Sequence, residues 1–92
     1  MIEHLTKDSF KQKVFDYQNS RVYRFEGERP VVIDFYTNWC VPCKTIAPIL
    51  EELQREYEGK VDIYKVDSDM EKELVKAFNV RSIPTLMFVP VE

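Results

Sequence analysis

The chain has 92 residues, 45% hydrophobic and 32% charged, with 13 basic and 16 acidic side chains and a net charge of −3. That length fits one domain and the composition is globular, since disordered chains are poorer in apolar residues; a chain this short buries only about 60–65% of its extended surface. No Lys/Arg run gives nucleic-acid binding electrostatic support, and no apolar run approaches the roughly 18–20 residues of a membrane span.

Thr6 to Tyr17 reads as a first helix, capped by Thr6 or Asp8, with Phe10, Val14 and Tyr17 at i, i+4 and i+7. Gln18 to Pro30 reads as a connection with turn signals at Asn19-Ser20 and Gly27-Glu28-Arg29-Pro30. Within it Val22, Tyr23 and Phe25 make a short extended piece. Val31 to Tyr36 is an apolar run rich in β-formers, a buried central strand with one anomaly, Asp34. The loop Thr37-Asn38-Trp39-Cys40 leads into a helix over Val41 to Tyr57. Pro42 suits its first turn, Pro48 predicts a kink, and Gly59 ends it. Its apolar stripe is Ile46, Ile49, Leu50, Leu53 and Tyr57. Val61 to Val66 is the next strand, and strand–helix–strand implies a parallel pair with a right-handed crossover. Met70 to Phe78 reads as a short helix with Leu74, Val75 and Phe78 inward. A turn, Ser82-Ile83-Pro84-Thr85, precedes a last strand over Thr85 to Val89.

The only two cysteines, Cys40 and Cys43, are three positions apart, a spacing that cannot staple distant parts of a fold. Zinc needs about four ligands, and with His4 as the only histidine a closed Cys/His site cannot be assembled. A C-x-x-C pair where a strand passes into a helix is a recognised redox signal. Cys40 falls at the helix N-terminus, where unpaired N–H groups and the helix dipole favour a thiolate, the attacking species in disulfide exchange. Cys43, one turn along and inside the helix, is expected to be the more buried sulfur. This division suits two steps: attack by Cys40, then resolution by Cys43. Asp34 is a lone carboxylate in a buried strand, costly unless paired, neutral or used. Beneath the helix it is placed to take a proton from Cys43, with a raised pKa, and Lys65 at matching depth in the next strand is its expected partner. Pro84 after Ile83 is compatible with a cis bond.

Taken in order, Val32-Ile33-Asp34-Phe35-Tyr36, Trp39-Cys40-Val41-Pro42-Cys43-Lys44, Ala47-Pro48, Tyr64-Lys65-Val66-Asp67 and Val80-Arg81-Ser82-Ile83-Pro84-Thr85 resemble the thioredoxin family. The resemblance runs from Leu5 onward. It implies a single α/β domain over residues 1–92, with a central mixed sheet flanked by helices. It also implies reduction of protein disulfides by a reversible Cys40–Cys43 couple without a bound cofactor. In that pattern Cys40 is the nucleophile, Cys43 the resolving thiol, Asp34 the buried proton acceptor, Lys65 its neighbour and Pro84 the cis-proline. Trp39, Val41, Pro42, Ile83 and Pro84 flank the substrate groove. Partners implied are disulfide-containing proteins and an external reductase or membrane electron donor.

Three features depart from the family pattern. Val41 replaces the usual glycine between the cysteines. The connection from Gln18 to Pro30 is longer. The sequence ends at Val91-Glu92, before the family's last edge strand and C-terminal helix, so the edge of Thr85–Val89 is expected to be exposed and open to dimerisation. The N-terminal Met1-Ile2-Glu3-His4-Leu5-Thr6 lacks a signal-peptide pattern, which predicts a cytoplasmic protein; a removed signal would point to the periplasm and a narrow client set. A non-catalytic binding module on the same fold is the other reading, and His4 is read as incidental.

Overall fold

A computed structural model describes residues 1–19 and 27–91. Its elements are β1 (Glu3–His4), α1 (Lys7–Lys13), β2 (Val31–Tyr36), α2 (Val41–Glu56), β3 (Asp62–Asp67), α3 (Lys72–Ala77) and β4 (Thr85–Val89). The described strands form one four-stranded sheet in the order β1-β3-β2-β4. β1 and β2 run parallel to β3, and β4 runs antiparallel to β2, so the sheet is mixed as expected. The extended piece expected at Val22, Tyr23 and Phe25 lies outside the described residues.

Strand alternation sorts the side chains onto two faces. Val31, Ile33 and Phe35 of β2, Val66 of β3 and Val89 of β4 join Leu5, Phe10, Val14, Phe15, Tyr17 and Leu74 in one core. The opposite face packs Ile2, Ile63 and the partly buried Val32 and Val61 against Leu50, Ile46 and Leu53 of α2. Gln54 fastens α2 to this face: its Oε1 accepts from Ile63 N–H at 2.9 Å and its Nε2 donates to the Val61 carbonyl at 3.3 Å. α2 runs through Pro48 without a break, and Gly59 follows it at φ 83°, a left-handed conformation that a side chain resists.

Several boundaries differ from expectation for local reasons. α1 stops at Lys13, because Asp16 Oδ1 accepts the N–H groups of Gln18 and Asn19 and turns the chain; Val14 and Tyr17 are nevertheless buried. Its start is a capping box, with the Thr6 hydroxyl accepting from Ser9 N–H. α3 begins at Lys72 rather than Met70, because Asp67 Oδ1 accepts from Asp69 and Met70 N–H and holds them in a turn. The stripe of α2 is narrower than predicted: Leu50 is buried, but Ile49 and Tyr57 are exposed. β1 was not expected. Only two residues long, it pairs Glu3 with Tyr64 and His4 with Lys65. On β4, Leu86 and Phe88 are exposed on the α2 side of the sheet, and β2 is the strand's sole neighbour in the described sheet.

Candidate active site

β2 ends at Tyr36, a loop of four residues follows, and α2 opens immediately after Cys40. Pro42 fits this start because the first turn of a helix has no acceptor for its missing N–H. Cys40 is the N-cap residue, and its Sγ accepts a hydrogen bond from Cys43 N–H at 3.2 Å. Cys40 and Cys43 are joined by a disulfide, with Cα atoms 5.2 Å apart. The expected difference in burial is not present: Cys40 is 5% and Cys43 4% exposed. Bonded sulfurs in a ring of this size share one environment, so reactivity is set by the helix N-terminus rather than by exposure.

Asp34 lies two residues from the end of the parallel β2–β3 register, directly opposite Lys65. It is fully buried, and among the described residues neither carboxyl oxygen has a hydrogen-bond partner. Burial pushes its carboxyl above the ordinary carboxylate range, and the positive charge of Lys65 partly offsets this. Lys65, expected as the partner of Asp34, stands opposite it in register and acts on it through its charge. Its Nζ sits over the Tyr36 ring, 5.1 Å from the centroid. The Tyr36 hydroxyl in turn meets His4 Nδ1 at 2.9 Å. His4, read as incidental from sequence, thus belongs to a row His4–Lys65–Asp34 that crosses three strands. Nothing in the sequence distinguished it, because the strand that carries it is two residues long.

The Ile83–Pro84 peptide is cis, at the entrance to β4, and both residues are half-buried. Trp39 and Val41 stand out at 68% and 70% exposure, and Pro42 is exposed beside them. Trp39 is not free to turn: its Nε1 donates to Asp69 Oδ2 at 2.8 Å. A cavity of about 140 Å³ opens next to the disulfide, lined by Tyr36, Thr37, Asn38, Cys43, Lys44, Ala47 and Lys65. Thr37 is another residue that sequence reasoning passed over. It is buried, and among the described residues nothing hydrogen-bonds its hydroxyl. Its signal was a hydroxyl set directly between a buried strand and the cysteine motif.

A family model, thioredoxin, matches residues 1–92. The chain is 50% identical over 88 residues to thioredoxin of Borreliella burgdorferi, covering 96% of this chain and 75% of that one. The chain belongs to the thioredoxin family. It is also 42% identical over 86 residues to thioredoxin C-2 of Corynebacterium nephridii, covering 94% and 70% of the two chains. To the chloroplastic M-type thioredoxin of Spinacia oleracea it is 48% identical over 63 residues, 68% of this chain and about a third (35%) of that one. The protein is a thiol–disulfide oxidoreductase whose adjacent cysteines cycle between disulfide and dithiol. Thioredoxins reduce protein disulfides with their own cysteine pair, need no cofactor, and work between disulfide substrates and a reductase. Among the described residues no group of three or more His, Cys, Asp or Glu is gathered to hold a metal, and no described helix is long and apolar enough to cross a membrane.

Proposed function

We propose that Cys40 attacks the substrate disulfide, that Cys43 resolves the mixed disulfide, and that Asp34 takes the Cys43 proton. The observation that carries this reading is the bond from Cys43 N–H to Cys40 Sγ at the mouth of α2, the position where a negative sulfur is best stabilised. The burial of Asp34, without a hydrogen-bond partner among the described residues, supports its role as base, since a carboxyl raised by burial accepts a proton more readily than an ordinary one. Lys65 modulates that carboxyl by charge. Trp39, Val41, Pro42, Ile83 and Pro84 form the surface that meets the client chain. The clients are disulfide-containing proteins and the electron donor is a thioredoxin-reductase-like protein. The protein works in the cytoplasm.

We further infer that the outer edge of β4, with Leu86 and Phe88 exposed, supports self-association. Sedimentation across a concentration series tests this, and a monomer at every concentration overturns it.

Insulin-type disulfide reduction by the folded, reducible protein tests the enzymatic reading. Cys40→Ser abolishes turnover, whereas Cys43→Ser accumulates mixed disulfides. If Cys43→Ser accumulates none, the assignment of the two sulfurs is wrong.

A further inference from the structure

The disulfide leaves one polar group of the active-site cavity without a purpose. Thr37 follows β2 and its carbonyl accepts from Cys40 N–H at 3.4 Å, so the residue is fixed against the cysteine turn. Its side chain is buried, only 3% of the residue is exposed, and its Oγ1 finds no partner among the described residues. A buried hydroxyl without a partner costs free energy, and native proteins rarely retain one that is never satisfied. Cys43 lines the same cavity. In the disulfide its sulfur is neutral and asks for no donor. When the ring opens, the same sulfur must pass through a thiolate in a buried place, where an unsolvated charge is expensive.

The other groups facing Cys43 are poorly suited to meet that charge. From β2, Tyr36 has its hydroxyl engaged with His4, and Asp34 is an acceptor in its role as base. From β3, Lys65 is seated over the Tyr36 ring. From the loop and α2, Asn38 and Lys44 are exposed residues, solvated rather than enclosed with the sulfur. Thr37 lines this cavity together with Cys43, and its hydroxyl is buried among these side chains, shielded from the water that solvates Asn38 and Lys44. We propose that the Thr37 hydroxyl is the hydrogen-bond donor to the Cys43 thiolate, both when that thiolate forms before ring closure and when the opening disulfide expels it. This rests on the reading of Cys43 as the resolving thiol.

The step balances without any added reactant. Cys43 gives its proton to Asp34 and its sulfur attacks Cys40 Sγ; the Cys40–Cys43 bond forms, the Cys40–substrate bond breaks, the departing substrate thiolate is protonated by solvent, and Asp34 returns its proton to solvent. The two protein thiols are oxidised and the substrate disulfide is reduced. Thr37 keeps its own proton throughout and only shares it.

The test uses the full chain, reduced, with dithiobis(nitrobenzoate) as the disulfide reporter. Attack by Cys40 releases one coloured thiolate, and attack by Cys43 releases the second. In Thr37→Val, which keeps the shape and loses the hydroxyl, the second release at neutral pH slows about tenfold, as expected for one hydrogen bond to a charged group. Its midpoint against pH moves upward, and the first release is unchanged. Thr37→Ser restores the second release to within about twofold of the parent, since its donor is retained. The oxidised Thr37→Val protein unfolds no more easily than the parent, because the hydroxyl is unpaired in that state. A Thr37→Val protein with the parent's second release and pH midpoint overturns the proposal. So does a Thr37→Ser protein as slow as Thr37→Val, which assigns the effect to packing. If Thr37→Val does not fold, Thr37→Ala carries the same comparison. A parent protein that never releases the second thiolate instead overturns the role of Cys43 itself.

Discussion

On one face of the sheet β2 turns Val31, Ile33 and Phe35 toward α1 and α3; on the other, the intervening residues Val32, Asp34 and Tyr36 face the side that carries α2. The first face is an aromatic core. Phe10, Phe15, Tyr17 and Phe78 pack with ring centroids 5.2 to 5.9 Å apart, several of them edge to face. The second face gives up apolar packing at its active end for a buried carboxyl, a lysine in register with it, and a disulfide. One strand thus serves both needs, with every second residue assigned to stability and the rest to chemistry. The comparison teaches that in a chain of 92 residues the redox site is affordable because its destabilising groups are confined to one end of one face.

The sharpest break between the faces is chemical. Cys40→Ser removes the attacking sulfur and all turnover, yet it leaves the aromatic face untouched, so the reduced protein keeps its fold by circular dichroism. Phe10→Ala does the reverse. Phe10 is fully buried, and truncation costs about 3–5 kcal/mol, read as a large fall in the denaturant midpoint. The fraction that remains folded resolves mixed disulfides at the parent's rate. A Phe10→Ala protein that is fully stable but slow would mean the two faces are not separable.

Asp34→Asn sits across the division, because it improves stability and harms chemistry. Burial raises Asp34 in the folded chain, so the folded chain still holds this proton at pH values where the unfolded chain has lost it. Its contribution is therefore most favourable below the ordinary carboxylate range and is lost as pH rises through the folded pKa. Asp34→Asn flattens that decline. At pH 7 it stabilises the disulfide form, because the amide never carries the charge that burial makes costly for the carboxylate, with little gain at pH 4 where the carboxyl is itself neutral. Exchange slows roughly ten- to a hundredfold, a modest share of what general base catalysis contributes. Denaturation curves at the two pH values check the sign; a parent protein more stable at pH 7 than Asp34→Asn contradicts it.

The same division explains what was legible in the sequence. β2, α2, β3 and β4 announce themselves through apolar runs and turn residues, and Cys40, Cys43, Asp34 and Pro84 each break a local pattern visibly. β1 did not, because two residues carry no periodicity; it forms only because Ile2 and Leu5 are buried on opposite faces around it. The bounds of α1 and α3 were missed where Asp16 and Asp67 divert backbone N–H groups from the helix, a competition that propensity does not reveal. The row His4–Lys65–Asp34 depends on strand register between segments 30 or more residues apart, which only the paired sheet supplies.

That row supplies the finest test, because it asks whether the chemistry of the second face is tuned from beyond its own strand. Lys65 lowers the Asp34 carboxyl against the larger upward push of burial. Lys65→Met removes the charge and keeps the stem, so Asp34 rises further and the pH at which its stabilising contribution disappears moves upward. Tyr36→Phe leaves the ring beneath the lysine and removes only the bond to His4, which is largely open to water. Its effect on stability is about 0.5 kcal/mol or less, and the pH dependence stays with the parent. Tyr36→Leu removes the ring as well and frees the ammonium; it moves the profile in the direction of Lys65→Met, by a smaller amount, since a solvated cation still acts on Asp34 through a higher dielectric. Stability measured against pH for the three variants orders them. If Tyr36→Phe moves the profile as far as Tyr36→Leu, the hydroxyl and His4, rather than the ring, hold Lys65 in place, and the influence on Asp34 then begins at the first strand of the sheet.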